Sequence, residues 1–423
     1  MGVENDSTPP RIYLLDISIP DAGPRPLPCQ QDCDQQERDM AFSPNGQYLA
    51  ISKRSSRFKE DIHLLDLVSG QSKQLTFNKR DIVGMTWHPN GQYLIYAEQK
   101  ADVRSGFELN IDTLLSRPLN INGFSYPAFA RQTPWLFFQH RNEQYQIAAQ
   151  SLNKAINSSP FPILQSGYNH KYPDYSDKND QIAYISNESG YYEIWLANAD
   201  GGNRRQITDL KRTVRFPKWS HDGKKIAFLA PDIIGKGDYI YIADVTTRRI
   251  TPVPSPFTGH NRPTWTHDDT AIISAVYSED YRDLFRFELD HLQTSRLTWD
   301  GGRYGMLLDD GTLIYTRTKK GLYKKKLGQK QSLQLLDKKQ FSVRYTWVYA
   351  DNVVYYPKLA SDHQQIGLYS FTEQQFTPLL RLPLSTVVTD SPMTLDTKRQ
   401  RLLFTKTLFY QSDIKLIKNP QFH

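Results

Sequence analysis

Polar and apolar residues alternate with a period of two over short runs of this chain, and turn residues separate the runs. One phrase of the pattern, Phe42-Ser43-Pro44-Asn45-Gly46-Gln47-Tyr48-Leu49-Ala50, returns in altered form about every 44 residues, a period typical of repeat proteins. Other copies begin at Trp87, Trp219 and Trp265. The alternation predicts half-buried strands, and the Asn-Gly pairs predict hairpin turns between them. The chain is therefore predicted to be a repeat protein built from strands.

Each repeat predicts four short strands. In one unit the later strands are expected at Gln181–Ser186, Tyr192–Ala197 and Arg205–Thr208, with a turn at Asp200-Gly201-Gly202. The innermost strands are expected near nine positions: Phe42, Trp87, Phe129, Tyr175, Trp219, Trp265, Leu307, Trp347 and Met393.

The predicted fold is all-β, a single β-propeller of eight or nine four-stranded blades. We expect 1–9 to be a disordered or added tail and 10–418 to form the propeller. The stretches 11–17 and 25–28 match outer strands without inner partners, whereas 391–395 and 401–405 match inner strands. The N- and C-terminal strands are therefore expected to share a blade and close the ring, which leaves no open sheet edge. An open solenoid is the alternative.

Four motifs carry a resemblance to a known family. They are Trp219-Ser220-His221-Asp222-Gly223, Ile194-Trp195-Leu196, Asp200-Gly201-Gly202 and Arg205-Gln206-Ile207-Thr208. With these motifs the chain resembles TolB-type (WD40-like) β-propeller repeat proteins, most clearly in the first, second, fourth, fifth and sixth units. The resemblance implies a propeller, but the same fold serves many functions.

Charge and motifs narrow the chemistry. The chain carries 52 Lys and Arg against 45 Asp and Glu, a formal charge of +7, and the charges are interspersed. Nucleic-acid binding needs basic residues gathered on one face, and we predict none for this chain. The sequence has no Gly-x-Ser-x-Gly elbow, no His-Glu-x-x-His and no phosphate-binding Gly-rich loop. We therefore predict a protein that is not an enzyme, with no cofactor and no metal.

The cysteines bear on the compartment. Cys29 and Cys33 lie close together, which suggests a local disulfide; free thiols, or a metal bound with partners from elsewhere, are the alternatives. The polar N-terminus predicts no signal peptide, and no apolar run approaches the roughly 18 residues of a membrane span. We expect a periplasmic domain excised from an inner-membrane protein, with a cytoplasmic location as the alternative.

A basic residue stands three or four positions before the inner aromatic in six units. These residues are Arg38, Lys171, Arg215, Arg262, Arg303 and Arg344. At one mouth of a propeller channel they would form a cationic ring, which favours an anionic ligand because arginine suits carboxylate or phosphate. The alternative is that they pair with local acids, such as Asp39 and Asp174, and serve only folding.

Two other residue sets have a structural and a functional interpretation. Trp87, Trp219 and Trp265 favour packing between adjacent sheets over stacking on a carbohydrate or base. His88, His221 and His267 fall near the same hairpin turn, where exposed turn residues are favoured over a pH sensor.

Two functions follow from the resemblance, and a third stays open. The chain resembles the periplasmic sensor domain of ToxR/CadC-type transmembrane transcriptional regulators, which implies a small anionic ligand or peptide. The alternative is a cell-envelope scaffold propeller, similar to TolB, that docks a protein partner. A propeller enzyme with dispersed catalytic residues is a further alternative.

Overall fold

The computed structural model describes residues 12–19, 21–27, 36–56, 59–153, 159–231, 237–277, 282–291, 293–317, 321–329 and 331–420. Every regular element in these ranges is a β-strand. The chain divides into two compact units. Unit 1 contains the described residues up to Glu143 and those from Tyr410 onwards, and unit 2 contains those from Gln144 to Phe409.

Unit 1 begins with a small sheet and continues with two antiparallel sheets of four strands. The small sheet pairs β1 (Tyr13–Leu14) with β2 (Arg25–Pro26). Sheet 1 consists of β3 (Gln36–Phe42), β4 (Tyr48–Ser56), β5 (Lys59–Asp66) and β6 (Ser72–Gln74). Sheet 2 consists of β7 (Asp81–Trp87), β8 (Tyr93–Lys100), β9 (Val103–Asn110) and β10 (Ser116–Asn122). After sheet 2, β11 (Phe124–Phe129) pairs with the first part of β12 (Trp135–Ser151).

Unit 2 contains the second part of β12, which pairs with β13 (Phe161–Leu164), and five four-stranded sheets. Sheet 3 is β14 (His170–Ser176), β15 (Gln181–Ser186), β16 (Glu193–Asn198) and β17 (Arg205–Gln206). Sheet 4 is β18 (Arg215–Trp219), β19 (Lys225–Pro231), β20 (Asp238–Asp244) and β21 (Ile250–Pro252). Sheet 5 is β22 (His260–Trp265), β23 (Ala271–Tyr277), β24 (Arg282–Glu288) and β25 (Thr294–Arg296).

The remaining strands complete unit 2 and return the chain to unit 1. Sheet 6 is β26 (Tyr304–Leu307), β27 (Thr312–Arg317), β28 (Gly321–Lys326) and β29 (Leu333–Leu336). Sheet 7 is β30 (Val348–Ala350), β31 (Val353–Leu359), β32 (His363–Ser370) and β33 (Gln375–Pro383). Lastly, β34 (Thr394–Asp396) pairs with β35 (Arg401–Lys418), and β35 lies beside β12. We call β11, β12, β13, β34 and β35 the shared sheet, because β12 and β35 have residues in both units.

The recurring phrase forms the same turn in its different copies. The backbone N–H of Gly46 donates to Ser43 O at 2.9 Å, and Gly46 has φ 71°. Gly223 repeats this with a 3.0 Å bond to Ser220 O and φ 71°. Only glycine adopts this left-handed conformation without a steric penalty, which accounts for its place in the phrase.

The Leu-Thr or Ile-Thr ending of the repeats also has a physical role. Thr208 Oγ1 donates to the buried carboxylate of Glu193 on the third strand and accepts the backbone N–H of Ile194 at 2.9 Å. Thr76 makes the same two bonds with Asp61 and Ile62, and Thr298 makes them with Asp283 and Leu284. The threonine thus holds the fourth strand on the third by satisfying a buried acid.

Hydrogen bonds link the sheets of unit 2 in a closed cycle. Trp219 N–Asp174 Oδ2 joins sheets 3 and 4, and Trp265 Nε1–Lys218 O joins sheets 4 and 5. Thr264 Oγ1–Gly305 O joins sheets 5 and 6, and Thr316 Oγ1–Arg344 O joins sheet 6 to the segment that leads into sheet 7. Thr346 Oγ1–Thr389 O links that segment to the one before β34, and Tyr175 N–Thr394 Oγ1 links the shared sheet to sheet 3. Between them lie apolar clusters, such as that of Tyr304, Trp347 and Tyr356 between sheets 6 and 7. Unit 2 is therefore a β-propeller.

The all-β propeller is confirmed, and strands occur at or directly after all nine predicted inner positions. The predicted single ring of eight or nine blades is not confirmed, and the boundaries 10–418 stay a prediction; residues 1–9 lie outside the described ranges. The predicted closure by the chain ends is wrong for the described residues. Here β1 pairs only with β2, whereas β34 and β35 join β12 and β13. The inner strands β34 and β35 do pair with outer strands from earlier in the chain, but those outer strands come from 144–164 and not from the N-terminus.

Candidate functional site

The six predicted basic residues lie at or near the starts of first strands, and they divide between the units. Arg38 is in unit 1, and the other five are in unit 2: Lys171, Arg215, Arg262, Arg303 and Arg344. The structure brings Arg262 and Arg303 into one cluster, places Arg215 at its border, and places Lys171 and Arg344 apart from it.

A bulge in the first strand decides which way these side chains point. In sheets 3, 4 and 5 the pairing shifts between Lys171 and Asp174, between Arg215 and Lys218, and between Asn261 and Thr264. The bulges contain Tyr172, Phe216 and Arg262, with φ values of 57°, 55° and 46°, each followed by proline. In sheet 5, Arg262 therefore stands at the bulge position that Tyr172 holds in sheet 3 and Phe216 holds in sheet 4. Lys171 and Arg215 lie one residue before that position. Bulges commonly re-aim a side chain in this way.

Arg38 is surrounded by acids. Its Nη1 lies 2.6 Å from Glu60 Oε1 and 3.0 Å from Asp81 Oδ1, and Arg54 Nη2 lies 2.6 Å from the same Glu60 oxygen. Burial disfavours the charge, but the hydrogen bond and the carboxylates outweigh it and raise the pKa of Arg38. The structure thus gives Arg38 an ion-pairing role within unit 1.

Three of the unit 2 residues have separate surroundings. Lys171 places its Nζ 4.1 Å from the centre of the Tyr145 ring and 5.3 Å from that of Tyr192. Arg215 forms a buried ion pair with Asp238, and its guanidinium carbon lies 5.7 Å from the centre of the Phe216 ring. The Arg344 side chain is exposed, although its carbonyl oxygen accepts a hydrogen bond from Thr316.

Arg262 is buried between two aromatic rings. Its guanidinium carbon lies 4.1 Å from the centre of the Phe216 ring and 3.3 Å from that of Tyr345. It donates to Asn261 Oδ1 at 2.8 Å and to the carbonyl oxygen of Asp390 at 2.6 Å. Its Nε has no hydrogen-bond partner among the described residues. Burial lowers the pKa of the guanidinium, because these acceptors are neutral and compensate its charge only in part.

Two tyrosines connect Arg262 to Arg303. The hydroxyls of Tyr345 and Tyr277 are 3.1 Å apart, and Tyr277 also accepts hydrogen bonds from Asn261 Nδ2 and from Arg303. Arg303 is buried, with its guanidinium carbon 5.3 Å from the centre of the Tyr277 ring. We call Tyr172, Phe216, Arg262, Tyr277, Arg303 and Tyr345 the inner cluster. Tyr277 and Tyr345 are partly exposed, so solvent reaches this side of it.

The two phenols differ in acidity. Burial raises the pKa of Tyr277, but hydrogen bonds from Tyr345, Arg303 and Asn261 and the charge of Arg303 outweigh it, so the net shift is downward. Burial raises the pKa of Tyr345, and the neighbouring Tyr277 raises it further. The hydrogen bond between the two hydroxyls thus contributes to both shifts, because it lowers the pKa of Tyr277 and raises that of Tyr345.

Sequence reasoning missed the tyrosine pair and two buried histidines. His170 and His260 each lie five residues before the inner aromatic, and their Nε2 atoms contact Ser166 Oγ at 2.8 Å and Ser255 Oγ at 2.9 Å. Burial lowers the pKa of both to about 4, so they are neutral at pH 7. Their shared phase in the repeat could have revealed them.

The other sequence expectations have mixed outcomes. Trp87, Trp219 and Trp265 are buried, as packing predicts. His221 and His267 are half-exposed and contact Asp269 at 2.8 Å and Asp309 at 3.1 Å, with their ring centres 5.4 Å apart. Cys29 and Cys33 lie outside the described residues, and their disulfide stays a prediction.

The described ranges contain no candidate metal cluster. No group of three or more His, Cys, Asp or Glu side chains there is arranged to hold an ion. The same ranges contain no apolar helix long enough to cross a bilayer.

A propeller of four-stranded sheets that end in Leu-Thr or Ile-Thr and turn on Asp-Gly or Asn-Gly defines a TolB-type repeat protein. The family described as the TolB beta propeller domain (PD40) matches residues 139–382, more than half of the chain. The chain therefore belongs to the TolB β-propeller family.

Individual relatives show how far the similarity extends. The chain is 26% identical over 205 residues to the uncharacterized protein Atu1656 of Agrobacterium fabrum, covering 45% of this chain and 69% of that protein. It is 33% identical over 81 residues to the Tol-Pal system protein TolB of Bordetella avium, covering 19% of this chain but only 18% of that protein.

Among solved structures, TolB from Acinetobacter baumannii aligns with a TM-score of 0.46 and 15% identity, covering 82% of this chain and 78% of that one. The family match thus shows the family and, with it, the propeller fold. The comparisons give no support for the predicted ToxR/CadC-type sensor domain.

Proposed function

We propose that this chain is a non-enzymatic binding propeller whose inner cluster takes an anionic ligand, either a small carboxylic acid or an acidic peptide. The main support for this proposal is the environment of Arg262. It is a buried guanidinium whose acceptors are an amide oxygen and a carbonyl oxygen, and its Nε has no partner in the described chain. A buried cation compensated by neutral groups favours an additional negative charge nearby.

The surrounding groups suit a carboxylate or phosphate. Arg303 adds further N–H donors beside Arg262, and charge-assisted hydrogen bonds from such donors are stronger than neutral ones. The rings of Phe216 and Tyr345 fix the plane of the Arg262 guanidinium. Less conformational freedom is therefore lost when a ligand binds.

Tyr277 gives the site a pH dependence. Its phenolate, stabilised by Arg303, would occupy the same positive field as the ligand. Ligand binding should therefore raise the pKa of Tyr277, and affinity should fall as the pH rises through that pKa. A spectrophotometric titration of wild type against Tyr277→Phe, with and without ligand, measures this, and an unchanged phenolate titration would contradict it.

The relatives suggest where such a protein works. One of them is named a Tol-Pal system protein, so we propose a cell-envelope propeller that docks an acidic segment of a protein partner, in a periplasmic location. A sensor domain would use the same ligand site, and detection of a fused DNA-binding domain in the full gene product would favour it.

Binding can be tested with citrate, succinate and inorganic phosphate at constant ionic strength, using thermal shift and calorimetry. If the site is real, stabilisation should grow with ligand concentration relative to Kd. Arg262→Gln and Arg303→Gln should each weaken binding by about tenfold or more, the range for a lost charge-assisted bond. Arg38→Gln is the matched control and should bind as wild type does.

Two milder variants keep the proposal testable if the glutamine variants misfold. Tyr345→Phe removes the hydroxyl that bonds to Tyr277 but keeps the ring against Arg262. Arg303→Lys retains the charge but loses the planar fork. Both should weaken binding while thermal unfolding without ligand stays close to wild type. Anion effects that follow ionic strength alone, or that persist in all four cluster variants, would reject the proposed site.

A further inference from the structure

The C-terminal part of β35 forms an open sheet edge in unit 1. Between Tyr410 and Lys418, β35 has β12 on one side, and β34 pairs with β35 only at Arg401–Leu403. Gln139 Nε2 donates to Ser412 Oγ at 2.7 Å, and Asn419 N donates to Pro134 O at 2.9 Å, which fixes the strand against β12. Within the described residues, no strand covers its other side, whereas sheets 1 and 2 have a fourth strand there.

This edge is long, exposed and partly apolar. Tyr410 is 54% exposed, Ile414 73% and Leu416 39%. They lie on one face of the strand, because alternate side chains point the same way. Proteins usually shorten, cover or charge such edges, since the unpaired N–H and C=O groups invite another strand. The alternating charges of this edge instead complement themselves.

We propose that the segment Tyr410–Lys418 pairs antiparallel with the same segment of a second copy of this chain, about a twofold axis at Ile414. A twofold interface of this kind uses the same surface on both copies.

The sequence of the edge selects this register. Centred on Ile414, the pairing places Asp413 opposite Lys415 of the second copy, and symmetry repeats that ion pair. On the other face, Ile414 lies opposite its own copy, so two apolar side chains meet at the axis. A register centred on Asp413 would oppose two carboxylates, and one centred on Lys415 would oppose two ammonium groups.

Both charges are available for this contact. Asp413 accepts one hydrogen bond, from its neighbour Gln411 at 2.6 Å, and both Asp413 and Lys415 are exposed. The proposal therefore predicts a dimer whose affinity depends on the signs of residues 413 and 415.

Charge reversal tests the register directly. The full chain should be dimeric by light scattering coupled to gel filtration, with dissociation on dilution. Asp413→Lys opposes lysines in both pairs, and Lys415→Asp opposes aspartates, so each variant should weaken dimerisation about tenfold or more, given two attractive pairs replaced by repulsive ones. Asp112→Lys and Lys338→Asp, on exposed turns elsewhere, are matched controls that should leave the dimer unchanged.

Mixing the two variants provides the decisive measurement. A chain with lysine at both positions and a chain with aspartate at both positions form two attractive pairs, so the mixture should recover dimers that neither variant forms alone. A wild type that stays monomeric at high concentration would overturn the proposal. Binding of a different protein to the edge in place of a second copy would overturn it as well. A dimer that ignores both reversals, or a mixture that stays monomeric although both variants show wild-type circular dichroism and melting, would also overturn it.

Discussion

Arg38 in unit 1 and Arg262 in unit 2 both lie at the start of a first strand, but their charges are compensated differently. Arg38 has two carboxylates within 3.0 Å and shares one of them with Arg54. Arg262 has two aromatic rings and two neutral oxygen acceptors. The repeat thus determines the position of the charge in the first strand, whereas the neighbouring sheets determine whether carboxylates already compensate it. Only the environment of Arg262, with its neutral acceptors, therefore favours the binding of an anion.

The largest expected contrast between the units appears in acid. The folded-state pKa of His170 and His260 is about 4 against 6.5 for an ordinary histidine, so the unfolded chain binds more protons between these values. Stability is therefore lost as the pH falls from 6.5 to 4, by about 3 kcal/mol per histidine. Hydrogen exchange resolved by peptide should show unit 2 opening first.

Replacing both histidines by glutamine checks the cause. The double variant can be less stable at pH 7, but its stability should change less between pH 6.5 and 4 than that of wild type. An unaltered pH dependence would show that other groups are responsible.

The next effect should be equal in the two units. Thr76 in unit 1 and Thr208 in unit 2 make the same pair of bonds to a third strand. Valine at either position leaves a buried acceptor and a backbone N–H without that partner, at about 1–3 kcal/mol. Urea unfolding of Thr76→Val and Thr208→Val measures this, with the two serine variants as controls that keep the hydroxyl. A loss confined to one unit would mean that the repeats are not equivalent.

The smallest expected effect concerns Arg38. Its side chain is 35% exposed, so solvent screens the ion pairs, and Arg38→Gln should lower stability by only about 1 kcal/mol. The loss should shrink in high salt. Arg344→Gln, at an exposed side chain, is the control and should change nothing. A loss of similar size for Arg344 would break the distinction between paired and exposed members of the predicted ring.

The sequence predicted strands and turns well because both depend on local chemistry. Period-two alternation located all nine inner strands, and Asn-Gly or Asp-Gly pairs located four of the hairpins that follow them. Strand pairing between distant segments was harder. β13 and the end of β12 form outer strands for β34 and β35, a partnership across more than 200 residues that no local pattern encodes.

The site was predictable only in part. Repeat phase identified Arg262 and Arg303 as unusual. It also grouped them with Arg38 and Arg344, because a spacing cannot distinguish a carboxylate neighbour from a ring. Nor could the spacing reveal that Arg262 lies at the bulge position of its strand, where sheets 3 and 4 have Tyr172 and Phe216. Tyr277 and Tyr345 meet across 68 residues, and their contact depends on the arrangement of sheets 5 to 7.

The course of β12 and β35 has a consequence for biosynthesis. The part of unit 1 up to Glu143 leaves the ribosome long before its remaining residues, which begin at Tyr410 within β35. At about 5–20 residues per second, on the order of ten seconds to a minute passes before that strand is translated. During this interval the edge of β12 in unit 1 is unpaired on the nascent chain. A chaperone or a neighbouring nascent chain on the same message could occupy it, and both units complete their parts of the shared sheet only after β35 has been translated.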